Sequence, residues 1–217
     1  MGRSCSRAAC SCRLVVAVKR VGILGGSFNP AHAAHRHISV EAMRRLGLDE
    51  VWWLVSPQNP LKSPAGMASL AARLGSARAA ARHPRIKPLA IESEMRTRFA
   101  VDTVAALQRR FPEIAFIWLM GADIVPQLHR WHRWRDFMRL LPIAVLARPR
   151  YMGGALISPA MVWARRWRQP IGSARRWTAW KLPAIIVLDI RQTALSATAI
   201  RAADPDWASR YDDGTIA

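Results

Sequence analysis

The residues best suited to chemistry form one short string: Gly25-Gly26-Ser27-Phe28-Asn29-Pro30-Ala31-His32-Ala33-Ala34-His35. It follows the apolar run Val21 to Leu24 and opens a stretch of helical periodicity, so it sits at a strand–turn–helix junction. A glycine pair there lets the backbone approach a phosphate closely. The helix start adds unpaired N–H groups and a partial positive charge. His32 and His35 lie three residues apart and share one face of the first turn. Two imidazoles in that place can donate hydrogen bonds to phosphate oxygens. The plain alternative is a capped turn with two solvated histidines. A glycine pair alone would not exclude it; the whole string at such a junction favours a phosphate site.

A second cluster, Leu195-Ser196-Ala197-Thr198-Ala199-Ile200-Arg201, lies near the other end of the chain. Ser196 and Thr198 suit a helix N-cap, with hydroxyls able to bond backbone N–H groups or phosphate. Arg201 follows one turn later and can offer a bidentate fork to phosphate oxygens. Alone, this would read as an ordinary capped helix.

The elements that must position these residues alternate along the chain. Apolar runs at Val21–Leu24, Val51–Val55, Ile86–Ile91, Ala115–Met120, Ile143–Ala147 and Ala184–Leu188 read as strands. Helical patterns cover Ala33–Leu46, with Gly47 as its stop, then roughly 67–82 and 98–111, the last closed by Pro112. A short helix follows Ser196. Near-continuous apolar strands are expected when both sheet faces are covered. The fold class is therefore α/β, a doubly wound, mostly parallel sheet of Rossmann-like type. Ligands of such sheets sit at the carboxyl ends of the strands, where the strand order switches. The stretch 150–182, with Trp163, Trp167, Trp177 and Trp180, fits either a packed helical insertion or a subunit contact.

The bulk numbers bound the rest. The chain has 217 residues, 51% of them hydrophobic, and suits a single domain over 19–217. Its formal charge of +19 would suit nucleic acid, but the basic residues are scattered and arginine dominates. The expectation is a solvated basic surface containing a phosphate cleft, without a nucleic-acid partner. All three cysteines, Cys5, Cys10 and Cys12, precede the domain, and the cysteine-free remainder suits the reducing cytoplasm. Residues 1–18 read as a disordered extension. No run is long and apolar enough for a membrane span.

The first string resembles the GGxFxPxHxGH signature of the nucleotidyltransferase superfamily, with Ala34 in place of the usual glycine. The second resembles that family's ISSTxIR motif. Three further segments narrow the resemblance: Ser56 to Lys62 after the second strand, Thr97 to Thr103 opening the middle helix, and Gly121-Ala122-Asp123 followed by Trp131 and Trp134. These are similar to bacterial nicotinate-nucleotide adenylyltransferases over roughly residues 19–203, with Ile124 where asparagine is common. The resemblance implies transfer of the adenylyl group of ATP to nicotinate mononucleotide. It places ATP on Gly25, Gly26, Ser27, Phe28, His32, His35, Ser196, Thr198 and Arg201, with His32, His35 and Arg201 catalytic. The mononucleotide would meet the backbone at Thr97 at a helix N-terminus, stack on Trp131, and contact Asp123 and Lys62. Mg²⁺ would arrive with ATP, with no dedicated protein metal site. A homo-oligomer is allowed. Sister enzymes acting on phosphopantetheine or nicotinamide mononucleotide would share the phosphate motifs but lack the Thr97 and Trp131 segments.

Overall fold

The computed structural model describes residues 18–57, 65–147, 154, 156–190 and 195–212. The expected extension lies outside them apart from Val18, as does Lys62. Six strands form one sheet: β1 (Lys19–Gly26), β2 (Glu50–Val55), β3 (Ile86–Leu89), β4 (Ile114–Gly121), β5 (Ile143–Ala147) and β6 (Ile185–Asp189), in the order β3-β2-β1-β4-β5-β6. All neighbouring strands are parallel, so the sheet is wholly and not just mostly parallel.

Alternation along each strand builds two cores. Ile23, Trp52, Trp118, Val145 and Val187 face one side, and Leu24, Trp53, Leu119, Leu146 and Leu188 face the other. Helix α1 (Ala33–Leu46) and helix α2 (Leu70–Ala81) cover the second face. The short helix α3 (Ile91–Glu94), α4 (Ala100–Arg110), α5 (Trp134–Leu140) and α6 (Pro159–Ala164) cover the first. Helices α7 (Ala197–Ala203) and α8 (Ser209–Asp212) close the described chain. Gly47 ends α1 in the left-handed conformation, at φ 64°.

Some boundaries move. Strand β3 stops at Leu89 because Ile91 turns into α3 and is buried there. The helix expected over 98–111 begins only at Ala100, with Phe99 in extended conformation as its cap. Within the tryptophan-rich stretch the described residues pack as helical turns. Trp177 is buried and donates its indole N–H to the Leu46 carbonyl at 3.0 Å, and Trp163 lies between Trp134 and Trp167.

Candidate active site

The strand order reverses between β1 and β4, so the crevice beyond their carboxyl ends is the natural ligand position. Gly25 and Gly26 end β1 there, and Gly121 ends β4. The two glycines of β1 differ in what surrounds them. A Cβ on Gly25 would stand 2.7 Å from the Trp118 indole, so the fold itself demands glycine. A Cβ on Gly26 would meet the Phe28 ring at an ordinary 3.4 Å. The described residues therefore give no steric reason for glycine at 26.

Phe28 occupies the left-handed region at φ 48°, uncommon for a bulky side chain and frequent at functional loops. Its ring stacks on Trp53 at 5.2 Å and tilts against His35 at 4.8 Å. The His32 and His35 rings lie 4.0 Å apart, but they do not share a helical turn: His35 is on the first turn of α1, whereas His32 is its N-cap with extended backbone. His35 Nδ1 accepts the backbone N–H of His32 at 3.2 Å, so in the neutral ring the proton is on Nε2. The Trp53 indole N–H donates to Ser39 Oγ, which donates to the His35 carbonyl, at 2.8 and 2.9 Å. The first turn of α1 is thus tied to β2 by packing and by hydrogen bonds. Ala34 is 1% exposed, so its methyl occupies the interior and faces no open cleft.

The second cluster comes to the first. Ser196 caps α7, its Oγ accepting the Ala199 N–H at 3.2 Å. Arg201 Nη1 donates to the carbonyl of Asn29 within the β1–α1 loop, across 172 positions of sequence. Its Nη2 lies 3.4 Å from the Thr198 hydroxyl, leaving most of the guanidinium donors for other partners.

Of the remaining candidates within the described residues, Asp123 and Trp131 follow β4, and Thr97 lies between α3 and α4. The Asp123 carboxylate folds back over Gly121, where a Cβ would collide with Oδ1. Trp131 is half-buried, edge-on to Trp118 at 6.0 Å and tilted to Phe137 at 5.4 Å. His132 stacks on Phe99 at 4.3 Å, joining the Trp131 segment to the start of α4. Thr97 stands before that helix and not on it: its N–H already donates to the Glu92 carbonyl at 3.0 Å. An anion met here would engage the open amides of the first turn of α4 in addition to, or in place of, that of Thr97.

Three residues that the structure packs against these segments carry no sequence signal that would have singled them out: Arg73, Glu92 and His132. Glu92 is buried near Thr97 and Ser56. Its carboxyl is raised above the ordinary value of 4.5 by burial, against hydrogen bonds from Ser56 and Thr103 that lower it. The Thr103 hydroxyl lies 3.3 Å from Glu92 Oε1, 2.9 Å from the Thr97 hydroxyl and 3.2 Å from the Phe99 carbonyl. With only one proton, that hydroxyl must accept in part of this network. A cavity of about 520 Å³ lies at the opposite end of the sheet, beside Gly47, Asp49 and Arg85, away from all these loops.

The cytidylyltransferase-like family model matches residues 23–203, which spans both clusters and every strand from β2 to β6. The chain belongs to this family. It is 52% identical over 197 residues to the probable nicotinate-nucleotide adenylyltransferase of Erythrobacter litoralis, covering 91% of this chain and 90% of that protein. The corresponding protein of Parvibaculum lavamentivorans is 52% identical over 182 residues, 84% of this chain and 90% of its own. The fold is similar to that of the Plasmodium falciparum nicotinic acid mononucleotide adenylyltransferase complexed with NaAD. There the TM-score is 0.61 at 15% identity, over 85% of this chain and 83% of that one. Among the described residues no helix is long and apolar enough to cross a membrane, and no group of three or more His, Cys, Asp or Glu could hold a metal ion.

Proposed function

We infer that the protein transfers the adenylyl group of ATP to nicotinate mononucleotide, giving nicotinate adenine dinucleotide and pyrophosphate, a step of NAD biosynthesis. The observation that carries this reading is the Arg201–Asn29 bond, which brings the two phosphate motifs together beside the β1–β4 switch point. The 52% identity with nicotinate-nucleotide adenylyltransferases supports the acceptor.

In the reaction an oxygen of the mononucleotide phosphate attacks the α-phosphorus of ATP in line, and the bond to the β-phosphate oxygen breaks. That oxygen leaves with its electron pair as part of pyrophosphate. Neither group needs a protein proton acceptor at neutral pH, so catalysis rests on positioning and charge stabilisation. His32 and His35 stabilise the α- and β-phosphates, His35 through its Nε2–H. Arg201 and Ser196 hold the β- and γ-phosphates, with Gly25, Gly26, Ser27, Phe28 and Thr198 shaping the ATP loop. Trp131 stacks on the pyridine ring, Asp123 takes ribose hydroxyls, Lys62 reaches a phosphate, and the Thr97 segment with the start of α4 meets the carboxylate. ATP enters as its Mg²⁺ complex, the ion held by phosphate oxygens and water. The cysteine-free domain suits a cytoplasmic setting.

The test is pyrophosphate release from Mg²⁺-ATP with nicotinate or nicotinamide mononucleotide in parallel. Strong preference for the acid form is expected. Preference for the amide would overturn the acceptor, and no turnover with either would overturn the reaction.

A further inference from the structure

Arg73 lies on α2, one of two arginines among many alanines, yet it is only 2% exposed. None of the ion pairs among the described residues includes it. Its hydrogen-bond partners among the described residues are four backbone carbonyls. Nε donates to Ala68 at 2.9 Å, Nη1 to Ser27 at 2.9 Å and to Ser56 at 2.5 Å, and Nη2 to Pro57 at 2.9 Å. These carbonyls belong to three separate segments: the β1–α1 loop, the exit of β2, and the lead into α2. The same lead is gripped by Asn29, which accepts the Ala68 N–H at 3.1 Å and donates to the Gly66 carbonyl at 2.9 Å.

Burying a cation without an anion is costly, and an apolar side chain would fill the space at less expense. Burial indeed pulls the guanidinium below the ordinary arginine pKa. The gain is geometric: a planar fork holds four carbonyls of three segments in fixed directions, whereas an ammonium offers only three donors from a single point. It is also electronic. The Ser27 carbonyl shares its peptide with the Phe28 N–H, and a cation on that oxygen strengthens that N–H as a donor. Ser56 is held from its other side as well, through its hydroxyl bond to Glu92.

We propose that Arg73 is a positioning residue for adenylyl transfer, locking the ATP loop at Ser27 to the exit of β2 at Ser56 and Pro57. This rests on the reading of the site given above. On that reading the β1–α1 loop meets ATP, and the exit of β2 is tied through Ser56, Glu92 and Thr103 to the Thr97 segment that meets the mononucleotide, so the lock sets the approach of one reacting phosphate to the other. A misplacement of about 1 Å at a reacting centre can cost on the order of a hundredfold in rate.

Two measurements test it. In R73K, assayed where circular dichroism shows it folded, kcat should fall about tenfold to a hundredfold while KM for ATP and for the mononucleotide changes little. A purely structural role would instead lower kcat only in proportion to the unfolded fraction, and that result, or wild-type kcat, overturns the proposal. The second measurement uses the wild-type protein and a non-hydrolysable ATP analogue, read by hydrogen exchange. Binding should protect peptides over Ser27–Ala31 and, through Arg73, also those over Trp53–Ser56. Protection confined to the first loop overturns the coupling. If the analogue protects both loops but no dinucleotide forms with either mononucleotide, the reaction assignment fails and the coupling stands.

Discussion

His35 offers the sharpest single perturbation. Its Nδ1 accepts the His32 N–H at 3.2 Å, so its donor is Nε2–H, the group the proposed mechanism directs at the transferring phosphates. Removing one donor aimed at developing charge costs roughly 10²–10³ in kcat, or about 2.7–4 kcal/mol. His35→Ala should fall in that range, but it also removes the cap bond and the ring contacts to Phe28 and Trp53. Loss of a cap alone costs about 0.5–2 kcal/mol of stability. His35→Asn separates the two effects. Its Oδ1 can take the place of Nδ1 and accept the His32 N–H, yet no atom stands where Nε2 was. The expectation is a melting temperature closer to wild type than that of His35→Ala, with turnover as low. His35→Gln puts an amide nitrogen near the Nε2 position and should recover part of the rate. The assay is the initial rate of pyrophosphate release at saturating ATP and nicotinate mononucleotide, with thermal melts on the same preparations. Near-wild-type turnover in His35→Asn would refute the donor role, and a rate that tracks only the melting temperature would refute the separation of donor from cap.

Two other outcomes follow from the same structure. Trp131→Ala should raise KM for the mononucleotide with kcat largely kept, because stacking worth about 1–3 kcal/mol binds ground and transition states alike; Trp131→Phe should retain much of it, and an unchanged KM in the alanine variant removes Trp131 from the pocket. Glu92→Gln concerns pH. Burial raises the folded carboxyl pKa above the ordinary 4.5, so the native state holds its proton more tightly than the unfolded chain. The stability this gives is fully present below the unfolded pKa and is lost as pH rises through the folded one. Glutamine keeps a neutral side chain throughout, so melting curves should show the variant gaining on wild type as pH rises from acid toward neutral; a constant difference across that window would show that Glu92 does not titrate differently on folding.

Much of this protein was legible in one dimension because local rules act over a few residues. The period-two burial that sets Val21 and Ile23 on one face and Leu24 on the other, the stop at Gly47, and the closeness of His32 to His35 all follow from spacing, though His32 caps the helix and does not lie on its first turn. Helix starts were less legible where no side chain marks them: α4 opens at Phe99, which offers no capping oxygen, so the expected start fell two residues early.

The chain by itself therefore determined the parallel α/β architecture, the glycine–histidine loop and the residue types proposed to meet ATP, since these depend on periodicity and on motifs contiguous in sequence. Only the tertiary structure decided that Arg201 reaches Asn29, that Gly25 is required by Trp118, and that His132 stacks on Phe99. It alone turned Arg73, indistinguishable in sequence from its neighbours, into a buried clamp between two loops. The physical reason is that burial and long-range hydrogen bonding depend on which segments the sheet order makes neighbours, and no local pattern encodes that distance.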